Sequence, residues 1–262
     1  IQCPVIPSSG GPVKIITCVK RVPATTARVV IQDDKALNPA GIEFVLNPYD
    51  EFAVEEAIQQ KEKTGDGHIL VMSFGSTDSQ KELRTALAMG ADEALLLQNP
   101  DAPNADGATT ARTLATAIEG REFDLLLFGK QAVDKDQHGV GPAVATALGV
   151  PCITEVTKLE IADGKVRAER EVEGGREIVE APLPCAITCQ KGLNEPRFAS
   201  LKGIMAAKKK TLDIVDTDMG SPLVEVLKME MPPERPAGRI LGEGAAAVPE
   251  LITALKEEAK VL

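Results

Sequence analysis

Short apolar runs alternate with helix-like patterns between about Lys14 and Thr154. Strands that alternate with helices in this way build parallel sheets covered by helices on both faces. We therefore predict an α/β fold with an open, mostly parallel, doubly wound sheet. The predicted strands are Ile15–Val19, Ile69–Ser73, Ala94–Leu97, Leu125–Phe128 and a fifth that opens at Cys152-Ile153.

Helix signals fill the gaps between these strands. Asn47-Pro48-Tyr49-Asp50-Glu51 offers an N-cap, a proline for the first helical position and acids for the positive end of a helix dipole. A second helix is predicted after Gly75-Ser76, with Gly90 ending it in the left-handed conformation. A third helix runs through 111–118.

The pattern changes after Pro151 to an alternation with a period of two, which is typical of antiparallel strands. Hairpin turns are predicted at Asp163-Gly164 and Gly174-Gly175. A last strand is expected to rejoin the main sheet. The ribbon strands and this last strand are Val156–Ile161, Lys165–Val172, Arg176–Glu180 and Cys185–Cys189.

The chain divides into three parts. Residues 1–13 form an extension without the features of a secretion signal, residues 14–220 form the α/β domain, and residues 221–262 form an arm. Beyond Ile214 the chain is rich in Asp, Pro and Gly, and the arm ends in a short helix over 249–260. Because it cannot build a core of its own, we expect it to pack on a partner subunit.

Composition excludes several classes of function. A net charge of -10 leaves no excess of Lys and Arg for a nucleic-acid partner. Aromatic residues make up 3% of the chain, so a flavin ring would find few stacking partners. The five cysteines form no C-x-x-C pair, which indicates reduced thiols in a cytosolic compartment. Only His68 and His138 could join Cys185 and Cys189, so no metal site is predicted.

Ligands of open parallel sheets bind beyond the carboxyl ends of the strands. This rule selects Cys18–Arg21, Ser73–Gly75 and above all the loop 129–142, whose Gly139-Val140-Gly141-Pro142 precedes a helix predicted over 143–148. Glycines at a helix start let backbone N–H groups approach an anion, and the helix dipole adds attraction. The loop is therefore a candidate phosphate cradle.

Other interpretations of the loop stay open. Asp134 and Asp136 suit ribose hydroxyls, but a polar connection without a ligand explains the loop equally well, because it matches neither Walker A nor G-x-G-x-x-G. His138 has no nucleophile beside it and is expected to be a solvated loop residue. No catalytic residue is predicted, so the residues alone indicate a nucleotide-binding domain.

Four stretches then carry a family resemblance. They are NPYDEFAVEEA at 47–57, RTALAMGAD at 84–92, GKQAVD at 129–134, and LNEPRFASL at 193–201 followed by KKK at 208–210. In this order and spacing they resemble the electron-transfer flavoprotein beta family, from about Lys14 to at least Val215. The hairpin 171–177 also resembles the acidic Gly-Gly signature of that family.

The resemblance implies a Rossmann-like sheet of the adenine nucleotide alpha hydrolase-like kind, in one subunit of a heterodimer. It implies an alpha subunit with the redox FAD, and a structural AMP in this subunit. It also implies acyl-CoA or other flavin dehydrogenases as electron donors and a membrane quinone oxidoreductase as acceptor. The protein would be a carrier and not an enzyme, cytoplasmic in bacteria or in the mitochondrial matrix of eukaryotes, although no transit peptide is visible.

By resemblance, the nucleotide contacts of the family fall close to the strand ends selected above. They are Cys18, Asn47, Pro48, Tyr49, Asp50, Phe74, Gly129, Lys130, Gln131, Ala132, Val133, Asp134, Lys135, Asp136, Gln137, His138, Gly139 and Val140.

The resemblance also implies a docking loop for dehydrogenases, anchored by an exposed leucine. The loop comprises Leu193, Asn194, Glu195, Pro196, Arg197, Phe198, Ala199, Ser200 and Leu201. An apolar side chain on a charged, exposed loop suits a hot-spot anchor, and either Leu193 or Leu201 could serve. The alternative is a leucine that only packs the loop against the domain.

One departure leaves the identity of the nucleotide open. Where the family usually has Asp-x-Asp, two residues and Gln-Thr-Gly, this chain has DKDQHGVG at 134–141. The Val-Gly-Pro ending is similar to members that bifurcate electrons with a second FAD in the beta subunit, whereas Lys130 and Lys135 favour AMP. The alternatives are therefore a bifurcating subunit with a second FAD, and an adenine-nucleotide sensor module.

Overall fold

The computed structural model describes residues 12–32, 34–234 and 237–262, so the predicted extension lies almost entirely outside the described residues. The strands are β1 (Val13–Cys18), β2 (Arg21–Pro23), β3 (Ile31–Gln32), β4 (Ala36–Leu37), β5 (Phe44–Leu46), β6 (Gly67–Gly75), β7 (Glu93–Gln98), β8 (Leu125–Gly129), β9 (Cys152–Ala162), β10 (Lys165–Val172), β11 (Gly175–Pro182), β12 (Cys185–Cys189) and β13 (Leu212–Asp216). The α-helices are α1 (Pro48–Thr64), α2 (Gln80–Met89), α3 (Gly107–Ile118), α4 (Val140–Leu148), α5 (Leu201–Ala207) and α6 (Val248–Thr253).

Nine of these strands form one open sheet in the order β11-β10-β9-β12-β8-β1-β6-β7-β13. The seven strands from β9 to β13 in this order are parallel, and β10 and β11 add an antiparallel ribbon at one edge. One apolar cluster holds the buried faces of α1 and α2, and a second holds those of α3 and α4. This arrangement confirms the predicted fold class.

Most predicted elements are found near their predicted bounds, and three local details are wrong. Gly90 ends α2 with φ +152° and ψ -6°, outside the left-handed helical region. A Cβ there would lie 3.0 Å from Ile58 Cδ1, so close packing against α1 also favours glycine. Helix α4 begins at Val140 and not at 143, and the second ribbon turn is Glu173-Gly174, because Gly175 already belongs to β11.

Several short elements were not predicted at all. Strands β2 to β5 have two or three residues each and pair in two small antiparallel sheets. Strand β13 pairs with β7 at the edge of the main sheet, and its residues are mostly exposed. Leu201, placed in a loop by the sequence, opens α5, whose N-cap Ser200 accepts the N–H of Gly203 at 3.0 Å. Short and exposed elements lack the hydrophobic periodicity on which sequence prediction depends.

The arm is fastened to the start of α3. Asp106 caps this helix by accepting the N–H of Thr109 (2.7 Å), and its carboxylate also accepts the N–H groups of Leu223 (2.5 Å) and Val224 (3.1 Å). These hydrogen bonds, led by that of Thr109, lower the pKa of Asp106 to about 2. Further along, the arm exposes large apolar side chains, with Leu227 76% and Ile240 90% exposed. The predicted terminal helix is α6 followed by a π-helical turn over Ala254–Glu258.

Candidate nucleotide site and docking surface

The topology of the sheet places a crevice between β1 and β8. After β1 the chain adds β6 and β7 on one side, and it then returns to add β8 on the other side of β1. Ligands of doubly wound sheets bind outside the carboxyl ends of the strands at such a reversal of strand order. Cys18 lies at the end of β1, and the loop 129–140 starts at the end of β8, so both border this crevice.

The start of α1 closes the crevice from one face. Pro48 occupies the first helical turn as predicted, but Asn47 does not cap the helix with its side chain. Instead its Nδ2 donates to the carbonyl of Gln131 (2.9 Å), and its Oδ1 accepts the N–H of Val133 (3.2 Å). The amide of Asn47 therefore holds the loop 129–140 against α1, a role that the N-cap prediction missed.

Asp50, one turn further along α1, is buried at 6% exposure. Its carboxylate accepts the N–H of Lys20 (2.7 Å) beyond β1 and the N–H of Gly129 (3.1 Å) at the end of β8. Burial raises the pKa of Asp50 to about 7, and the hydrogen bonds from these two backbone groups offset only part of that rise.

The loop 129–140 is tied down on two further sides. Lys20 Nζ donates to both oxygens of Asp134, at 2.7 and 2.6 Å. Lys135 Nζ donates to the carbonyls of Pro103 (3.2 Å) and Ala105 (2.8 Å), just before α3. Because Lys20 neutralises Asp134, this carboxylate repels a nearby phosphate less than an unpaired carboxylate would.

The end of the loop offers open space beside a helix start. A Cβ at Gly139 would have no heavy atom within 4 Å, whereas one at Gly141 would lie 2.8 Å from Thr188 Cγ2. Gly141 is therefore required by packing, whereas a side chain at Gly139 would enter open space just before α4. The first N–H groups of a helix have no acceptor within the helix. His138 is a half-exposed side chain as predicted, and its Nδ1 lies 3.3 Å from Glu155 Oε1.

Tyr49 and Phe74 are the two aromatic residues among the predicted nucleotide contacts, and each ring lies against other side chains of the protein. Lys130 Nζ lies 5.1 Å from the centroid of the Tyr49 ring. Phe74, at the end of β6, is half-buried and packs against the cluster under α3 and α4. Cys18 is buried in the same cluster, and burial raises the pKa of its thiol well above the usual range, so the thiol is neutral. The crevice therefore offers backbone and aliphatic contacts and few free rings.

The raised pKa of Asp50 predicts a pH-dependent stability. The folded chain keeps this proton up to about pH 7, while the unfolded chain releases it near pH 4. The contribution of Asp50 to the free energy of unfolding is therefore full at low pH and falls by about 1.4 kcal/mol per pH unit as the pH rises through this window. Urea unfolding of the wild type and of Asp50→Asn between pH 5 and 8 measures the difference, and parallel pH curves would contradict this assignment.

The predicted docking loop 193–201 is held from beneath by α1. Arg197 pairs with Glu55 (Nε to Oε2, 2.8 Å) and with Glu62 (Nη1 to Oε1, 2.7 Å). Asn194 Nδ2 donates to Glu56 Oε2 at 3.0 Å. Glu55 and Glu56 are each 2% exposed. Asn194 and Arg197 thus contact α1, whereas Glu195 is exposed as predicted for this loop.

The apolar side chains of the same segment divide into two groups. Leu193 and Ala199 pack against the core cluster under α1 and α2. Phe198 is 98%, Leu201 84% and Met205 65% exposed. Between the two candidate anchors, only Leu201 therefore presents its side chain outward. Phe198, Leu201 and Met205 are called the apolar knob below.

Helix α5 carries part of the knob and is fixed to α2 by reciprocal contacts. Arg84 of α2 donates to the carbonyls of Ala207 and Lys210 at 2.7 Å each. Lys210 Nζ donates to the carbonyls of Leu87 in the last turn of α2 (3.0 Å) and of Ala91 just beyond its end (2.5 Å). Each cation neutralises carbonyl groups at the end of the other helix. Arg84 and Lys210 belong to the stretches RTALAMGAD and KKK, on which the family resemblance rests. The resemblance did not assign a role to either residue.

The described ranges show neither a metal centre nor a membrane-spanning helix. They contain no group of three or more His, Cys, Asp or Glu side chains placed to hold a metal ion. Among their helices, none has both the length and the apolar character needed to cross a membrane. A cavity of about 770 Å³ lies between α3 and the segment 215–221, and none of the predicted nucleotide residues lines it.

Comparison with known proteins supports the resemblance. Residues 35–218 match the family model described as the electron transfer flavoprotein domain. The electron transfer flavoprotein subunit beta of Bacillus subtilis (strain 168) is 42% identical over 257 residues, which cover 95% of this chain and 99% of that protein. The protein of the same name from Syntrophomonas wolfei is 40% identical, with 95% and 98% covered. The one from Mus musculus is 36% identical, with 95% and 98% covered.

The residues matched by the family model include α1, the loop 129–140 and the segment 193–201. They also include β12 and β13, the strands that precede and follow the apolar knob in the chain. The similarity to subunits beta extends over nearly the whole chain, with the arm included. This chain belongs to the electron transfer flavoprotein family, in the group of its beta subunits.

Proposed function

We propose that this chain is one half of a heterodimer that accepts electrons from flavin dehydrogenases and passes them to a downstream acceptor. The alpha subunit would hold the redox FAD, and this subunit would hold an AMP that stabilises the structure. The observation that carries the proposal is the meeting of the predicted nucleotide residues, 47–50 and 129–140, at the crevice between β1 and β8. Membership of the family supplies the role in electron transfer.

The residues at the crevice fit an adenine mononucleotide. The first turn of α4 offers backbone N–H groups and a dipole suited to a phosphate, and Gly139 leaves space in front of it. The two aromatic rings are engaged by Lys130 and by the core, which favours AMP over a second FAD, whose flavin ring needs stacking partners. The nucleotide supplies no redox chemistry in this proposal. The chain positions it and excludes water around it.

The apolar knob is proposed as the surface that docks dehydrogenases. An exposed apolar anchor on a rigid support loses little conformational entropy when it binds. The anchors of Arg197 on α1 and of α5 on α2 supply that support. Acyl-CoA dehydrogenases are the proposed donors, and a membrane quinone oxidoreductase is the proposed acceptor. The same surface distinguishes this proposal from a nucleotide sensor, which needs no such knob.

The arm, residues 221–262, is proposed to pack on the alpha subunit, while 14–220 form the nucleotide-binding domain. Large apolar side chains stand exposed along the arm, among them Leu223, Leu227 and Ile240. Large exposed apolar patches mark protein interfaces. The N-terminal end of the arm is fixed by Asp106, so its position on the domain is set before the partner binds.

Extraction of the nucleotide tests the proposal. The co-purified heterodimer should release one AMP per beta chain, identified by mass spectrometry, in addition to the FAD of the alpha subunit. Gly139→Val should lower the AMP content about tenfold or more, because a branched side chain fills the space before α4. Gly175→Val is the matched control, since a Cβ there also meets no heavy atom within 4 Å. Two FAD per heterodimer and no AMP would establish the bifurcating alternative instead.

A further inference from the structure

The carboxylate of Asp50 is used within the protein. One oxygen accepts the N–H of Lys20 (2.7 Å), and the other accepts the N–H of Gly129 (3.1 Å). With 6% of the residue exposed, little of this group is left to touch a ligand. The family resemblance implied a direct nucleotide contact for Asp50, and these two hydrogen bonds point to a use within the protein.

We propose that Asp50 is a positioning residue. By accepting one N–H beyond β1 and one at the end of β8, it holds the two strand ends at the spacing that the nucleotide crevice needs. This pair of hydrogen bonds is called the clasp below. The inference rests on the proposed function for the identity of the ligand. Asp50 acts through Lys20 and Gly129 and not by contact with the nucleotide. Gly129 is the first residue of the loop 129–140. The side chain of Lys20 donates to Asp134 in the same loop at 2.6 Å.

The packing around Gly129 shows how close the clasped parts lie. A Cβ at Gly129 would lie 2.7 Å from the carbonyl carbon of Tyr49 and 2.8 Å from the backbone nitrogen of Asp50. No side chain fits between β8 and α1 at this level. The carboxylate therefore reaches both strand ends without strain only while Gly129 has no side chain.

The surroundings of Asp50 disfavour the ionised form of its side chain. It faces Lys20, whose Nζ is already paired with Asp134, and the buried thiols of Cys18 and Cys189. Burial raises its pKa, so the ionised form is disfavoured in the folded chain. Proteins accept such destabilising groups where function requires their geometry. Asp50 fits this pattern because both oxygens serve the walls of the ligand crevice.

The opposite end of β1 offers a matched control. Asp124 is 7% exposed, and its Oδ2 accepts the N–H of Lys14 at 2.8 Å. It joins the amino ends of β1 and β8 in the way that Asp50 joins their carboxyl ends, but far from the crevice. Substitution of either acid by asparagine keeps the shape of the side chain and removes the charge. In Asp50→Asn the new NH2 group must face one of two backbone donors, so one hydrogen bond of the clasp is lost.

The test compares the AMP content of Asp50→Asn and Asp124→Asn in the co-purified heterodimer. Asp50→Asn should retain about tenfold less AMP than the wild type, or lower still, as expected when a buried backbone donor loses its acceptor. Asp124→Asn should retain the wild-type content. Wild-type content in Asp50→Asn, or equal loss in both variants, would overturn the proposal. If Asp50→Asn fails to fold, Lys20→Met is the second variant: it removes the contact that ties the loop 129–140 to Lys20 through Asp134, and it should also lose AMP.

Hydrogen exchange of the full chain separates this inference from the proposed function. In Asp50→Asn at least one of the Lys20 and Gly129 amides should exchange faster than in the wild type, while in Asp124→Asn the Lys14 amide should keep its protection, because the asparagine oxygen can still accept it. Unchanged exchange at Lys20 and Gly129 would contradict the clasp, whatever ligand binds. If the wild-type protein neither contains nor binds AMP, the proposed nucleotide is wrong. The exchange measurement then still tests whether Asp50 holds the ends of β1 and β8.

Discussion

Replacing Leu201 with alanine should weaken the docking of a flavin dehydrogenase about thirtyfold. Its side chain is 84% exposed at the first position of α5, and it belongs to the apolar knob. Apolar anchors of this kind carry about 2 kcal/mol of an interface, which corresponds to the stated factor in affinity. Steady-state reduction of the heterodimer at limiting dehydrogenase measures the effect. The AMP and FAD contents should stay at the wild-type level.

Two further variants make this result specific to the knob. Ile178→Ala removes another exposed apolar side chain, 55% exposed on β11, and should leave the reduction unchanged. Leu193→Ala should lower the melting temperature, because Leu193 packs against the core cluster. Equal rates for Leu201→Ala and the wild type, or a loss of FAD along with the rate, would mean that the knob does not dock the dehydrogenase.

Removal of the arm, residues 221–262, should abolish co-purification with the alpha subunit. The two core clusters contain no residue of the arm, so the α/β domain should keep its fold and nearly its melting temperature. The exposed apolar side chains of the arm would be lost from the interface, and each contributes through buried area. Affinity capture of a tagged alpha subunit, with circular dichroism of the truncated chain, measures both parts.

Asp106→Ala is the companion to this truncation. It keeps the sequence of the arm but removes the acceptor of the Leu223 and Val224 amides. We expect an intermediate loss of partner affinity and faster proteolysis of the arm in the unbound chain. A truncated chain that still captures the alpha subunit in equal amounts would show that the interface lies on the domain itself.

The sequence predicted the parallel sheet because its central strands are apolar without interruption. Leu125, Leu126 and Leu127 of β8 are each 0% exposed, with helices over both faces, and such strands stand out in a sequence. The strand-end rule likewise brought Cys18 and the loop 129–140 together. The edge strand β13 and the helix α5 escaped prediction, because each is short and leaves most of its residues exposed.

The orientation of polar side chains was harder to predict from the sequence than the order of strands and helices. Asn47 has the composition of an N-cap, yet its amide binds the loop 129–140, and a sequence does not show which backbone lies within reach. Glu55 and Glu56 lie beside the apolar stripe of α1, where burial of an acid requires a partner. Their partners, Arg197 and Asn194, come from a segment about 140 residues further along the chain. Such distant pairs have no local signature.

Helix α1 is shared by the two surfaces on which the proposals depend. Its first turn holds the crevice through Asp50, and its later turns hold the docking segment through Glu55 and Glu62. Twelve residues of helix separate Asp50 from Glu62, a length of about 18 Å. A transplant of the docking segment into another protein would therefore fail without this helix beneath it. An engineer who redesigns either surface must keep α1 as the common frame and vary only the residues that point away from it.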